Sequence, residues 1–250
     1  MLLSFSKFRG LTSAALATVA GLAFLLDPHP ASAIQLTTGD IGSSFTVIFN
    51  GQADIRNTLT TVPGLTSKIT YTVTGFSFDA GTNVTSLLLT GLLENTSTIA
   101  SRVSGVAFDT DPDIIQDKNA PPSQLSTVSG VFTNLNILGI YPNGIGTVDL
   151  CASNSNGNGC SGNGGVTDGQ SGSFVLDLKY LGNISSVSLD NFLVRYQSFN
   201  FRGASSGTGT GTPGPLVPNP DPVVPEPSPL FPTLALGLCL GGAMLFRRTV

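Results

Sequence analysis

Between Ser173 and Leu181 every second residue is large and apolar: Phe174, Leu176, Leu178 and Tyr180 share one parity, while Asp177 and Lys179 take the other. That is the period of an extended strand, whose side chains point to opposite faces in turn. The same period recurs at Phe45, Val47 and Phe49, and at Ile69, Tyr71 and Val73 with Thr70, Thr72 and Thr74 between them. At Gly75 the parity slips, so that Phe76 and Phe78 continue on the other face, which predicts a bulge. Further strands are expected over Leu87–Glu94, Val103–Phe108, Ser129–Leu135, Gly146–Leu150 and Val187–Phe199, the last with a parity change near Asn191. Asn50-Gly51 is a hairpin-turn signal. About eight short strands separated by Gly, Asn, Asp and Pro predict one all-β domain, antiparallel and β-sandwich-like, over residues 34–202. The lack of an internal repeat argues against a solenoid or propeller.

Charge narrows the partners. Only 10% of residues are charged, against about 25% in an ordinary soluble domain. The net charge is −4, and the basic residues between Arg56 and Arg202 stand singly, where a phosphate-binding surface needs them clustered. Nucleic acid is therefore excluded as an expected partner.

Both ends of the chain differ from its middle. Lys7 and Arg9 precede an apolar run from Leu11 to Leu26, and Ala31-Ser32-Ala33 offers small residues for cleavage, the three parts of a secretion signal. The run is shorter than the roughly 20 residues a membrane span needs, so residues 1–33 read as a cleavable signal helix and Ile34 as the first mature residue. His29, the only histidine, leaves with it. From Gly203 a Gly/Thr stretch leads into prolines at 213, 215, 218, 220, 222, 225, 227 and 229. Gly-rich chain is flexible and Pro-rich chain extended, so residues 203–229 read as a stalk. Leu230–Phe246 is apolar and uncharged, about 26 Å long as a helix, and Arg247-Arg248 follow it. Positive residues stay cytoplasmic, which together with the signal places residues 34–229 outside.

The tail carries a resemblance. Val224-Pro225-Glu226-Pro227-Ser228, a short apolar helix and a terminal basic pair are similar to the tripartite sorting signal of bacterial PEP-CTERM proteins. The resemblance covers residues 224–250. It implies that an integral-membrane exosortase reads Pro225-Glu226-Pro227, that 230–246 is a transmembrane helix, and that Arg247 and Arg248 supply the stop-transfer charge. It further implies a cell-envelope protein, membrane-anchored before processing and then at the cell surface or in an exopolysaccharide matrix. Pro232 and Cys239 within the helix depart mildly from that pattern.

Cys151 and Cys160 bracket a Gly/Asn/Ser loop, and in an exported chain they are expected to form a disulfide. Two thiols without histidine cannot complete a zinc shell. Neither a Ser-His-Asp nor a Cys-His site can be built once His29 has gone. Paired carboxylates remain, because glycoside hydrolysis needs only two acids at a set distance, yet most aspartates sit beside Gly, Asn or Pro, where capping a turn is their commoner work. Asp109, Asp111, Asp113 and Asp117 are the one concentration of hard-cation ligands and a weak calcium candidate. Their Asp-x-Asp-x-Asp opening fails as an EF-hand loop, since Ile114 stands where glycine is needed and Ala120 where the bidentate acid belongs. No cofactor is expected.

The expected function is that of a non-catalytic surface or matrix protein in contact with envelope polysaccharide. The alternatives are a carbohydrate-binding module on a stalk and, behind it, a carboxylate-based glycan-active enzyme. Sugar modules present exposed aromatic platforms. Here there is no tryptophan, Tyr71, Tyr180 and Tyr196 fall in alternating strands, and only Tyr141 beside Pro142-Asn143-Gly144 reads as a displayed loop aromatic.

Overall fold

The computed structural model describes residues 33–218 apart from 118, 143–145, 156–158 and 161. The expected signal segment up to Ser32, the sorting motif Val224–Ser228, the span 230–246 and Arg247-Arg248 lie outside the described residues. Among the described residues no helix is long and apolar enough to cross a membrane.

The fold is all-β. Its strands are β1 (Ile34–Thr37), β2 (Ser44–Asp54), β3 (Leu59–Asp79), β4 (Val84–Glu94), β5 (Arg102–Asp111), β6 (Thr127–Gly130), β7 (Asn134–Tyr141), β8 (Gly146–Ser153), β9 (Val166–Thr167), β10 (Ser171–Leu181), β11 (Ser186–Phe201) and β12 (Ala204–Pro213). All pair antiparallel in a single sheet of order β6-β10-β4-β3-β2-β12-β11-β5-β8-β7, with β1 beside β11 and β9 beside β5. The ends of this path, β6 and β7, return to each other without pairing, so the sheet is nearly closed into a barrel. This corrects the sandwich-like expectation. Alternation tells which face of a strand is buried, but one curled sheet and two stacked sheets bury the same parity.

Inside the barrel the predicted apolar rows meet. Phe45, Val47 and Phe49 of β2, Ile69, Tyr71 and Val73 of β3, and Phe174, Leu176, Leu178 and Tyr180 of β10 are all at most 1% exposed. Tyr71 is the hub. Its ring stacks on Phe45 at 5.2 Å and meets Phe108 and Phe174 edge-on at 6.1 and 6.0 Å. Such ring pairs add about 0.5–1.5 kcal/mol each beyond their buried area. The parity slip at Gly75 is a register shift between β3 and β4, and that near Asn191 is a shift between β11 and β5.

Two local readings are corrected. Asn50-Gly51 lies inside β2, and the hairpin turn comes later, where Arg56 and Asn57 take positive φ. A Cβ at Gly51 would collide with the Leu65 side chain, so this glycine serves a crossing of side chains and makes no turn. The strand expected over 129–135 is divided between β6 and β7, because Phe132 turns into the core between them.

The largest correction concerns Gly203. Arg202 and Gly203, with φ of 50° and 87°, form a two-residue hairpin between Phe201 and Ala204. Positive φ at both central residues is the geometry of a type I′ turn. The Gly/Thr stretch read as stalk is then β12, laddered to β11 on one side and β2 on the other. Beyond it, Val217 still exchanges backbone hydrogen bonds with Ser44. The domain therefore extends to about residue 217, and the rest of the expected stalk, residues 219–229, lies outside the described residues.

Candidate functional site

The seam of the barrel holds a concavity. Val131 N donates to Ser173 O and Thr133 N to Ser153 O, holding the crossing chain to both walls, and β6 and β7 splay apart from there. The gap is a cleft of about 220 Å³ lined by Gln116, Asp117, Leu125, Ser126, Leu135 and Ile137. A second hollow of about 510 Å³ lies under the 113–124 segment and shares Gln116 and Asp117 with the first. Its apolar part comes from Ile114, Pro121 and Leu181. Such a lining offers amide and carboxylate groups for hydrogen bonding to polar ligands. Asp117 is partly occupied, since its Oδ1 accepts from Asn119 N at 2.9 Å.

At one end of β5 and β11 the structure gathers aspartates that are far apart in sequence. Asp109 lies directly opposite Asp190, and Asp111 opposite Ser188. The β5–β8 ladder stops at Phe108 and Leu150, and side chains extend it: Asp149 Oδ2 accepts from Thr110 N at 2.8 Å while Asp109 Oδ1 accepts from Asp149 N at 3.0 Å. Asn191 Nδ2 donates to the other oxygen of Asp109 at 2.8 Å. Burial pushes the Asp149 carboxyl upward against the lowering effect of Thr110, and the charges of Asp109, Asp113 and Asp190 add to the rise. Asp190 is likewise raised, first by burial and then by Asp109 and Asp111. Among the described residues no group of three or more His, Cys, Asp or Glu is placed to hold a metal ion. The candidate set Asp109, Asp111 and Asp113 thus joins this acidic end without forming a calcium cage, and both oxygens of Asp109 already accept hydrogen bonds. Asp149 and Asp190 went unnoticed in the sequence because only strand register brings them here.

Cys151 and Cys160 meet as a disulfide pair with Cα atoms 5.6 Å apart, both fully buried. They sit on the outer face of the barrel wall, where Cys151, Cys160, Ala107, Tyr141, Val148 and Leu193 make a small second core. Cys160 lies against β5, its carbonyl oxygen 2.7 Å from where a Cβ at Gly105 would stand, and just beyond the bridge Gly162 O accepts from Arg102 Nη2 at 3.3 Å. Arg195 is 7% exposed under this layer, and its Nη1 donates to Gly207 O at 3.3 Å. Burial lowers the Arg195 guanidinium, and the neighbouring Tyr141 phenol opposes that shift. Tyr141 is not displayed: it is 1% exposed, and burial pushes its hydroxyl up. Its neighbours in sequence signalled a turn, whereas Tyr141 itself closes β7 and is covered by the second layer.

A cluster that sequence reading missed joins Ser86 to Asp177 and Lys179 on the outer face of β4 and β10. Lys179 Nζ pairs with Asp177 Oδ2 at 2.8 Å and also contacts Ser86 Oγ, which donates to Asp177 Oδ1 at 3.2 Å. Ser86 and Lys179 are register partners. The ion pair lies within β10, Ser86 ties it across to β4, and Ser86 stands mid-strand without a turn to present it. Aspartates elsewhere cap turns as expected: Asp79 accepts from Gly81 N and Thr82 Oγ1, bonds that hold its carboxyl low. Asn95, in an Asn-x-Thr/Ser setting, is 1% exposed and donates to Ser101 Oγ and Val166 O.

The class defined by these features is an antiparallel, nearly closed β-barrel with an outer disulfide-bearing layer. Comparison with family models, with curated proteins and with solved structures returned no match.

Proposed function

We propose that the chain is an exported, exosortase-sorted protein of the cell surface or extracellular matrix, whose barrel is a structural element in contact with exopolysaccharide and carries no catalytic activity. The observation that carries this reading is the order Pro225-Glu226-Pro227, apolar helix, Arg247-Arg248 behind an N-terminal secretion signal. The barrel supports it in two ways. Its outer face between β2 and β10 presents hydroxyls, with Thr46 bonded to Thr70 at 3.0 Å and Thr66 to Thr96 at 3.0 Å. All four tyrosines are buried, which leaves the aromatic-platform form of a carbohydrate-binding module without its usual side chains. In this reading the partners are an exosortase-type membrane enzyme, the membrane before processing and envelope polysaccharide after it. Replacing Pro225, Glu226 and Pro227 together by alanine tests it in a host carrying the sorting enzyme. The full-length form accumulates in the membrane if the motif is read; shortening and release at the wild-type rate defeat the proposal and leave a plain anchor.

A further inference from the structure

The acidic end of the barrel has no counter-charge among the described residues, whose ion pairs are Lys68 with Glu94 and Lys179 with Asp177. The register of β1 points to one. Ile34 lies opposite Leu189 and Gln35 opposite Ser188 in an antiparallel ladder. The position before Ile34 therefore falls beside Asp190, and opposed Cα atoms in such ladders are about 5 Å apart. On the other edge of β11, Asp190 faces Asp109 and Ser188 faces Asp111. Ile34 is 7% exposed, its side chain part of the main core. The nitrogen of Ile34 is thus held at the edge of the carboxylate group by a buried anchor, and like charges directly opposite in a sheet are destabilising until something compensates them.

We propose that hydrolysis of the Ala33–Ile34 peptide bond completes this end of the fold, the liberated α-ammonium of Ile34 becoming the counter-ion of Asp190. The inference rests on the export reading, which supplies a signal peptidase and water. Water gives its hydroxyl to the Ala33 carbonyl carbon and a proton to the Ile34 nitrogen; a further proton from solvent makes the ammonium, and Ala33 leaves as a carboxylate. Before cleavage the same nitrogen is a neutral amide. Afterwards it is a cation beside Asp190, with Asp109 and Asp111 behind it, in a geometry that admits a charge-assisted hydrogen bond. Maturation would then do more than shed a targeting segment, because it neutralises a repulsive cluster that no described lysine or arginine reaches.

The experiment takes the exported protein from its native envelope. Intact mass first identifies the mature N-terminus, and an amine-reactive acetylating reagent then measures the exposure of the α-amino group at about pH 8, near the usual value of a free chain terminus. With Ile34 first, acetylation is expected to be about tenfold slower in the wild type than in Asp190→Asn, because a neighbouring carboxylate holds the proton on the amine. A variant with one glycine inserted between Ala33 and Ile34 keeps every carboxylate but moves the ammonium out of register. It should label as fast as Asp190→Asn, and it carries the test if that substitution fails to fold. Equal labelling of wild type and the glycine-insertion variant overturns the ion pair while leaving export intact. A mature chain that begins elsewhere than Ile34 overturns both this inference and the cleavage site on which it rests.

Discussion

Residues 203–213 and 154–165 are both glycine-rich, and they have opposite structural fates. The first, Gly-Ala-Ser-Ser-Gly-Thr-Gly-Thr-Gly-Thr-Pro, is mostly β12 in the middle of the sheet. The second, with Asn and Ser between its glycines, belongs to no strand among its described residues and is tied down by Cys160. The difference is periodicity. In β12 glycine falls at every second position, at 207, 209 and 211, and that row turns inward beneath the large side chains of β2 and β11. A Cβ at Gly209 would stand 2.8 Å from Tyr196 and from Val194, and one at Gly211 would stand 2.5 Å from Val47. The alternate threonines at 210 and 212 face out and are exposed. Glycine here makes room for neighbours, so flexibility in the unfolded chain says little about its role in the fold. In the loop, glycine follows no such period, and a covalent link does what a ladder does elsewhere.

That contrast can be broken most severely by ending the chain after Arg202. β12 is the only strand whose ladders join the β6-β10-β4-β3-β2 half of the described sheet to the β11-β5-β8-β7 half. Loss of a cooperative transition in urea is expected for this truncation, while a chain ended after Pro218 keeps one. Next in size is Gly209→Val, which places branched bulk against Tyr196 and should cost at least the about 1–3 kcal/mol typical of overpacking. Gly169→Ala, at a turn where an added Cβ meets nothing within 4 Å but φ is +71°, should cost about 1 kcal/mol from the left-handed backbone alone. If the two substitutions destabilise equally in urea titrations, the space-making role of the β12 glycines is wrong.

Reduction of the Cys151–Cys160 bridge should destabilise by about 2–3 kcal/mol in the chain-entropy model. Hydrogen exchange should show the loss concentrated in the loop and in β7 and β8, with β12 unaffected. Smaller still is Thr210→Val, on the exposed side of β12, expected within about 0.5 kcal/mol of wild type.

The weakest expected effect separates both glycine-rich segments from the acidic end. Neither 154–165 nor 204–213 contains an ionisable side chain apart from the bridged Cys160, so pH should act elsewhere. Asp149 is raised above its ordinary value of 3.8, chiefly by burial. A carboxyl raised in the folded state favours folding below its unfolded pKa, and that contribution is lost as pH rises from about 4 through the folded value. Asp79, held low by Thr82 and Gly81, works in the opposite sense: its contribution is present above 3.8 and lost as pH falls through its folded value. Melting temperatures between about pH 4 and pH 7 should therefore fall less steeply in Asp149→Asn than in wild type. An unchanged slope would remove Asp149 from the account.

Much of the strand content was legible because it is written in nearest neighbours. The parity of Phe174, Leu176, Leu178 and Tyr180, the slips at Gly75 and Asn191 and the closeness of Cys151 to Cys160 are local patterns, and a pleated backbone turns each into a face, a bulge or a short loop without reference to the rest of the chain. Closure of the sheet into a barrel was not local. Nor was the meeting of Asp109 with Asp149 and Asp190, or the burial of Tyr141 beneath a second layer. Register decides these, and register is set by which strand lies beside which over separations of tens of residues. The same reason explains Gly203: Arg-Gly is a weak turn signal and Gly-Thr alternation has no apolar row of its own. Only the aromatic rows of β2 and β11, brought together around the barrel, turn that alternation into a strand.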